Sequence, residues 1–151
     1  MLPSTVERIT RNTTAEANEK IRRQTQANIA NYSRRGGAAI DRRLAELDYE
    51  WDIERTLEAN AATAVLVGVT LSTLDRRFLL LPAAVGGFLL QHALQGWCPP
   101  LGLFRRLGVR TATEIEQERM ALKALRGDFR NISCADEKTV DASELLAAAQ
   151  Q

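Results

Sequence analysis

The chain has 151 residues, 26% of them charged, a formal net charge of +1 and a mean hydropathy of -0.22, values that suit one ordinary water-soluble domain. The near-neutral balance excludes a phosphate-clamping nucleic-acid binder, since arginine alternates with glutamate and aspartate and no basic patch accumulates. Two cysteines, Cys98 and Cys134, lack CxxC spacing and cannot complete a zinc site with a single histidine.

The average hides three zones. Residues 1–30 are polar and hold no hydrophobic core of a signal peptide, so any membrane segment further on is expected to act as its own insertion signal. Ser4 with Glu7, and Thr13 with Glu16, have the S/T-x-x-E form of a capping box and predict two helix starts. From 16 to 32 the composition favours helix, but Ile21 and Ile29 are its only large aliphatic residues, a stripe too narrow to bury much alone. Arg34, Arg35, Gly36 and Gly37 then predict a hinge. Over 38–58, Ile40, Leu44, Leu47 and Trp51 recur at helical spacing, continued by Ile53 and Leu57, with Arg42 and Glu46 as an i,i+4 pair on the polar side. No breaker follows, so this helix is expected to run straight into the next zone. Its stripe suits packing on the N-terminal helix and an interfacial or self-associating role equally.

The middle zone carries the strongest signal. Residues 78–104 contain no Asp, Glu, Lys or Arg, and 78–97 alone, at about 1.5 Å per residue, covers the roughly 30 Å of a bilayer's hydrocarbon core. A second uncharged run, 59–74, precedes it across Asp75, Arg76 and Arg77. It reaches spanning length with Leu57, Glu58 and snorkelling of the two arginines. The pair predicts an all-α, two-helix transmembrane hairpin, with spans 57–74 and 78–97. Ala64, Gly68 and Ser72 are spaced four apart, and Ala83 with Gly87 offers a matching face. These faces are expected to meet, within one hairpin or between two. Pro82 falls in the first turn of the second span, where it needs no kink. Gln91, His92 and Gln95 stand near the membrane boundary and are expected to find partners in Asn60, Thr63 or backbone groups at the same depth. His92 reads as an interfacial polar side chain; haem ligation would require an axial partner from another molecule, and no cofactor is expected. Trp97 suits an aromatic belt, and Pro99 with Pro100 stops the helix at Cys98.

Beyond the hairpin, 101–109 has Leu and Phe beside Arg105 and Arg106, as for a segment returning along the headgroups. A last helix, capped by Thr111 or Thr113, runs to Arg126 before Gly127, with Ile115, Leu122 and Leu125 as its apolar side. The organisation is thus an N-terminal helical region 1–56, a hairpin 57–104, a C-terminal amphipathic region 105–127, and a tail 128–151 expected to be disordered. Arg42, Arg43 and Arg55 before the hairpin, and Arg105, Arg106 and Arg110 after it, outnumber Arg76 and Arg77 in the turn, which predicts both termini in the cytoplasm. Cys98 is then expected at the cytoplasmic surface and no disulfide forms.

The residues Leu81-Pro82, Gly86-Gly87, Leu90-Gln91, Gly96-Trp97-Cys98-Pro99 and Leu107-Gly108, with Ala64 and Gly68 in support, resemble the YgaP-like transmembrane domain family over 57–109. The resemblance implies a multi-pass hairpin of the bacterial inner (plasma) membrane, often a dimer, found alone or fused to a rhodanese sulfurtransferase and mostly uncharacterised in function. Long charged flanks and the lack of a rhodanese active-site loop depart from the pattern, so sulfurtransferase activity is not carried over. A rhodanese-type sulfurtransferase enters only as a partner.

With no Ser-His-Asp set, phosphate loop, metal-ligand cluster or paired intramembrane carboxylates, the sequence reads as a non-enzymatic integral membrane protein. Its partners are the lipid bilayer and a second copy of itself. The alternative is a sulfur-handling or small-ion transport component that uses Cys98. A cysteine at a helix C-terminus has its pKa raised by the dipole, which opposes a reactive thiolate unless Arg105 or Arg106 compensates.

Overall fold

Side chains that replace missing backbone partners start three of the helices, at Thr14, Asp52 and Thr111, and a 3-10 turn, at Asp75. A computed structural model describes Ser4 and residues 6–129. It comprises α1 (Arg8–Arg11), α2 (Ala15–Ser33), α3 (Gly37–Tyr49), α4 (Ile53–Leu71), a 3-10 turn (Arg76–Leu79), α5 (Leu80–Gln95), α6 (Leu101–Leu107) and α7 (Ala112–Arg126), with no strand among the described residues. The Thr111 hydroxyl accepts from the Glu114 N–H while Glu114 accepts from the Thr111 N–H, the reciprocal box expected for α7. Neither N-terminal box forms as the spacing predicts. Glu7 occupies the cap position of α1 without a side-chain bond, and Thr14, not Thr13, caps α2 by accepting from the Ala17 N–H. Thr13 is engaged elsewhere: its hydroxyl donates to the Ile9 carbonyl and accepts from Arg105 Nε.

The expected continuous helix from 38 into the hairpin is also broken. α3 ends at Tyr49 and α4 restarts at Ile53, because Asp52 accepts from the Arg55 N–H at 2.7 Å and the Ile53 N–H is taken by the Arg110 carbonyl at 2.8 Å. The hinge at Gly36 is as predicted, with φ of 83°.

Two small apolar clusters hold the base of the molecule. Ile40, Leu44 and Leu47 of α3 pack with Ile115 and Leu122 of α7 and with Tyr32 of α2, so the α3 stripe is covered by the chain's own C-terminal helix. Ile9, Ile53, Leu57, Cys98 and Leu101 form the second cluster, with Phe104 and Val109 against it. The N-terminal and C-terminal regions are therefore packed on each other and not separate flanks. Leu125 departs from the predicted stripe and is half-exposed. The polar-side pair of α3 is Arg43 with Glu46, not Arg42.

Charged groups buried between these helices join the elements further. Arg105, 0% exposed, makes a two-pronged pair with Glu114 at 2.6 and 2.8 Å and also reaches Asn18, Thr13 and the Val109 carbonyl. Glu118, equally buried, accepts from Arg43, Arg110 and Asn28, and Arg110 grips Glu50 through Nε and Nη2. Burial alone would raise the Glu118 and Glu114 carboxyls, but the arginine hydrogen bonds outweigh it and hold both below the ordinary carboxylate range. A lowered folded pKa contributes stability above the unfolded value, about 4.3, which is lost as pH falls through the folded value. The thermal midpoint is expected to stay flat from about pH 7 to about pH 5 and to drop below about pH 4. A midpoint that rises on acidification would contradict the network.

From this base α4 and α5 project as an antiparallel pair in contact with each other. Above Leu57 the only buried residue of α4 is Gly68, and α5 buries only His92. Leu66, Val67, Val69, Leu80, Phe88, Leu90 and Leu94 are all exposed. Among the described residues one helical stretch, Arg76–Gln95, is long and apolar enough to cross a membrane. The tail from 130 on, with Cys134, lies outside the described residues.

Candidate functional site at the base of the hairpin

The residues with chemical potential converge where the hairpin enters the base. Glu54, in the first turn of α4, faces His92 near the end of α5, with Oε2 and Nε2 2.8 Å apart. Its other oxygen accepts from Arg8 Nη2 at 2.8 Å, and Arg8 Nη1 continues to the Ala93 carbonyl at 2.9 Å. Asn12 donates to the Gln95 carbonyl at 2.8 Å. The N-terminal segment thus supplies donors to the last carbonyls of α5, which its own helix leaves without partners. Gly96 ends α5 in the left-handed region, φ 76°, pressed so closely on Arg8 that a Cβ there would lie 2.6 Å from the Arg8 Cβ. Burial would raise the Glu54 carboxyl, yet the hydrogen bonds from His92 and Arg8 bring it below its ordinary value.

His92 is therefore buried, hydrogen-bonded to Glu54 in a clasp that Arg8 completes, and does not present its ring at the protein surface. Gln91 and Gln95 do not bond across the hairpin: Asn60 donates to the Thr56 carbonyl and Thr63 to the Ala59 carbonyl, each within its own helix. Their short side chains reach the preceding turn more readily than the opposite helix. Cys98 is likewise not at the surface. It is 5% exposed, in the cluster with Ile9, Ile53, Leu57 and Leu101. Burial, assisted by the charge of Glu54, pushes its thiol up despite a backbone hydrogen bond from Leu101.

Of the small-residue faces, Gly68 makes the close approach, but to Leu81 and Pro82: an added Cβ would sit 2.6 Å from Pro82 Cδ. Ala64 and Ser72 flank it, half-buried, whereas Ala83 and Gly87 are exposed and a Cβ at Gly87 would meet nothing within 4 Å. Within the chain Gly68 thus meets Leu81 and Pro82, and Gly87 has open space beside it. Gly68→Ile is expected to destabilise the hairpin by about 1–3 kcal/mol through overpacking, and Gly87→Ile to leave it unchanged. Equal thermal stability of the two variants in detergent would contradict this packing.

The arrangement fastens α1, α4 and α5 to one another. Among the described residues no cluster of His, Cys, Asp and Glu could hold a metal ion. No family model, curated protein or solved structure matches the chain. Sequence reasoning missed Glu54 and Arg8. The available signal was Glu54 lying between Ile53 and Leu57, on a helix whose neighbouring turns are apolar.

Proposed function

We propose that the α4–α5 hairpin lies in a lipid bilayer as two spans, 57–74 and 78–97, and that the chain is a small non-enzymatic integral protein of the inner membrane. Its helical base and both termini are cytoplasmic. The observation that carries this reading is the contrast in burial. The base buries two apolar clusters and pairs its buried charges, while above Leu57 the hairpin helices bury only Gly68 and His92 and expose Leu66, Val67 and Val69 of α4 and Leu80, Phe88, Leu90 and Leu94 of α5. Exposed apolar surface of that extent needs a covering phase. The two tryptophans of the chain support the same placement, since Trp51 precedes α4, Trp97 follows α5, both are exposed, and Arg55 stacks on Trp51 at 4.4 Å. The kinship with YgaP-like hairpins belongs to this proposal and is supported by its motif residues alone. A homodimer is supported by the open Ala83 and Gly87 face, which leaves room for a second hairpin.

Alkaline carbonate fractionation, followed by reporter fusions at the turn and the C-terminus, tests the proposal. Retention in the membrane with a cytoplasmic C-terminus is expected; release into the soluble fraction, or a periplasmic C-terminus, overturns it. The sulfur-handling alternative, with or without a rhodanese-type partner, needs a reactive Cys98, and its burial and raised pKa weigh against one. Labelling of Cys98 at neutral pH is expected to be slower than that of Cys134, and Cys98→Ser to leave insertion intact. A faster Cys98 would favour the alternative.

A further inference from the structure

We propose that Arg76 and Arg77, at the apex of the hairpin, bind the phosphate groups of anionic phospholipids, an inference that rests on the membrane reading above. The apex is a short polar island between exposed apolar residues: Leu74 is 81% and Leu80 73% exposed, with Phe78 and Leu79 between them also exposed. Both arginines are exposed, and among the described residues neither forms an ion pair. The one acid beside them, Asp75, turns its Oδ1 to the Arg77 backbone N–H at 2.8 Å and caps the 3-10 turn. Two guanidinium charges against one carboxylate leave the apex one charge positive. At the base the contrast is plain, since Arg8, Arg43, Arg105 and Arg110 are each held by a glutamate.

Height decides the source of the counter-charge. The 16 residues of α5 rise about 24 Å, somewhat less than the roughly 30 Å hydrocarbon core, so the apex ends within snorkelling reach of the far headgroups and does not project into bulk water. A guanidinium there meets phosphodiester oxygens in the two-pronged geometry it favours. Apolar neighbours on both sides confine the site to lipid.

The test uses the full chain in vesicles of phosphatidylcholine alone or mixed with phosphatidylglycerol, reading backbone amide exchange over 75–79. Anionic lipid is expected to slow exchange in the wild type by about fivefold or more, the factor that an arginine near an anionic surface supplies. Arg76→Gln with Arg77→Gln should exchange alike in both lipids, and Arg55→Gln with Arg106→Gln should keep the slowing. Equal exchange of the wild type in both lipids overturns the inference, as does loss of slowing in the base variant alone. So does equal slowing by inorganic phosphate in phosphatidylcholine. If the glutamine pair fails to insert, the wild-type comparison between lipids decides by itself. Failure of the membrane reading has a different signature, a wild type that floats with neither kind of vesicle.

Discussion

Arg105→Leu is expected to cost the base about 3–5 kcal/mol, the range for removing one partner of a buried ion pair. The side chain is completely enclosed, and its guanidinium joins α6 to Glu114 of α7, Asn18 of α2 and Thr13 before it. Leucine would leave the largely covered Glu114 carboxylate facing Thr111 alone, and the Asn18 and Thr13 side chains without their shared partner. Arg106→Leu, one residue on and exposed, is the control, expected to fall within about 0.5 kcal/mol of the wild type. Chemical denaturation of the full chain in detergent, followed by helical signal, separates the two. A loss below about 1 kcal/mol for Arg105→Leu would show that the pair is not what joins these helices.

Gly96→Ala is expected to be nearly as costly, for two separable reasons. A non-glycine residue held at φ of 76° costs about 1–2 kcal/mol, and the new Cβ would meet the Arg8 Cβ at 2.6 Å and its carbonyl oxygen at 2.7 Å, backbone that cannot swing aside. Displacing α1 to relieve this contact breaks the clasp of Arg8 with Glu54 and the Ala93 carbonyl, and overpacking of this kind adds about 1–3 kcal/mol. Gly108→Ala isolates the first term, because Gly108 has φ of 98° but open space around its Cβ position. Differential scanning of the two variants should therefore show the larger fall in melting temperature for Gly96→Ala. Equal falls would mean that the N-terminal segment does not sit on the end of α5.

The hairpin was legible because its signal is a run of missing charges, and that signal survives whatever the flanks do. The Thr111 box, Gly36 and Gly127 were legible because they act on residues next to them in sequence. The base was not, because its organising contacts join residues far apart, such as Arg105 to Asn18 and Arg110 to Glu50. A partial signal existed. Glu118 shares the helical face of Ile115 and Leu122, Arg43 follows Ile40 by three, and Arg105 follows Leu101 by four, so charges stood on stripes that must be buried. In the sequence arginine and glutamate alternate as a solvated surface set would, which masks those positions. The break between α3 and α4 also rests on a distant contact, the Arg110 carbonyl accepting from the Ile53 N–H, beside the local cap that Asp52 gives the Arg55 N–H. In the site, His92 and Cys98 are buried, whereas the sequence places them at the membrane boundary and the cytoplasmic surface. Their burial depends on α1 folding back over the end of α5, which no local pattern announces.

The most direct measurement of the central claim is spin-label accessibility along the hairpin in reconstituted vesicles, with labels at Leu66, Phe88, Leu90 and Leu94. All four are exposed at the protein surface, on both helices and at different heights. If the hairpin is embedded in the hydrocarbon core, molecular oxygen, which concentrates there, should relax every label more strongly than a water-soluble nickel complex, with the largest difference midway along α5. A label at Arg42 on the base should show the opposite order. Greater accessibility to the nickel complex at Leu66, Phe88 and Leu90 would put the hairpin in water and contradict the account.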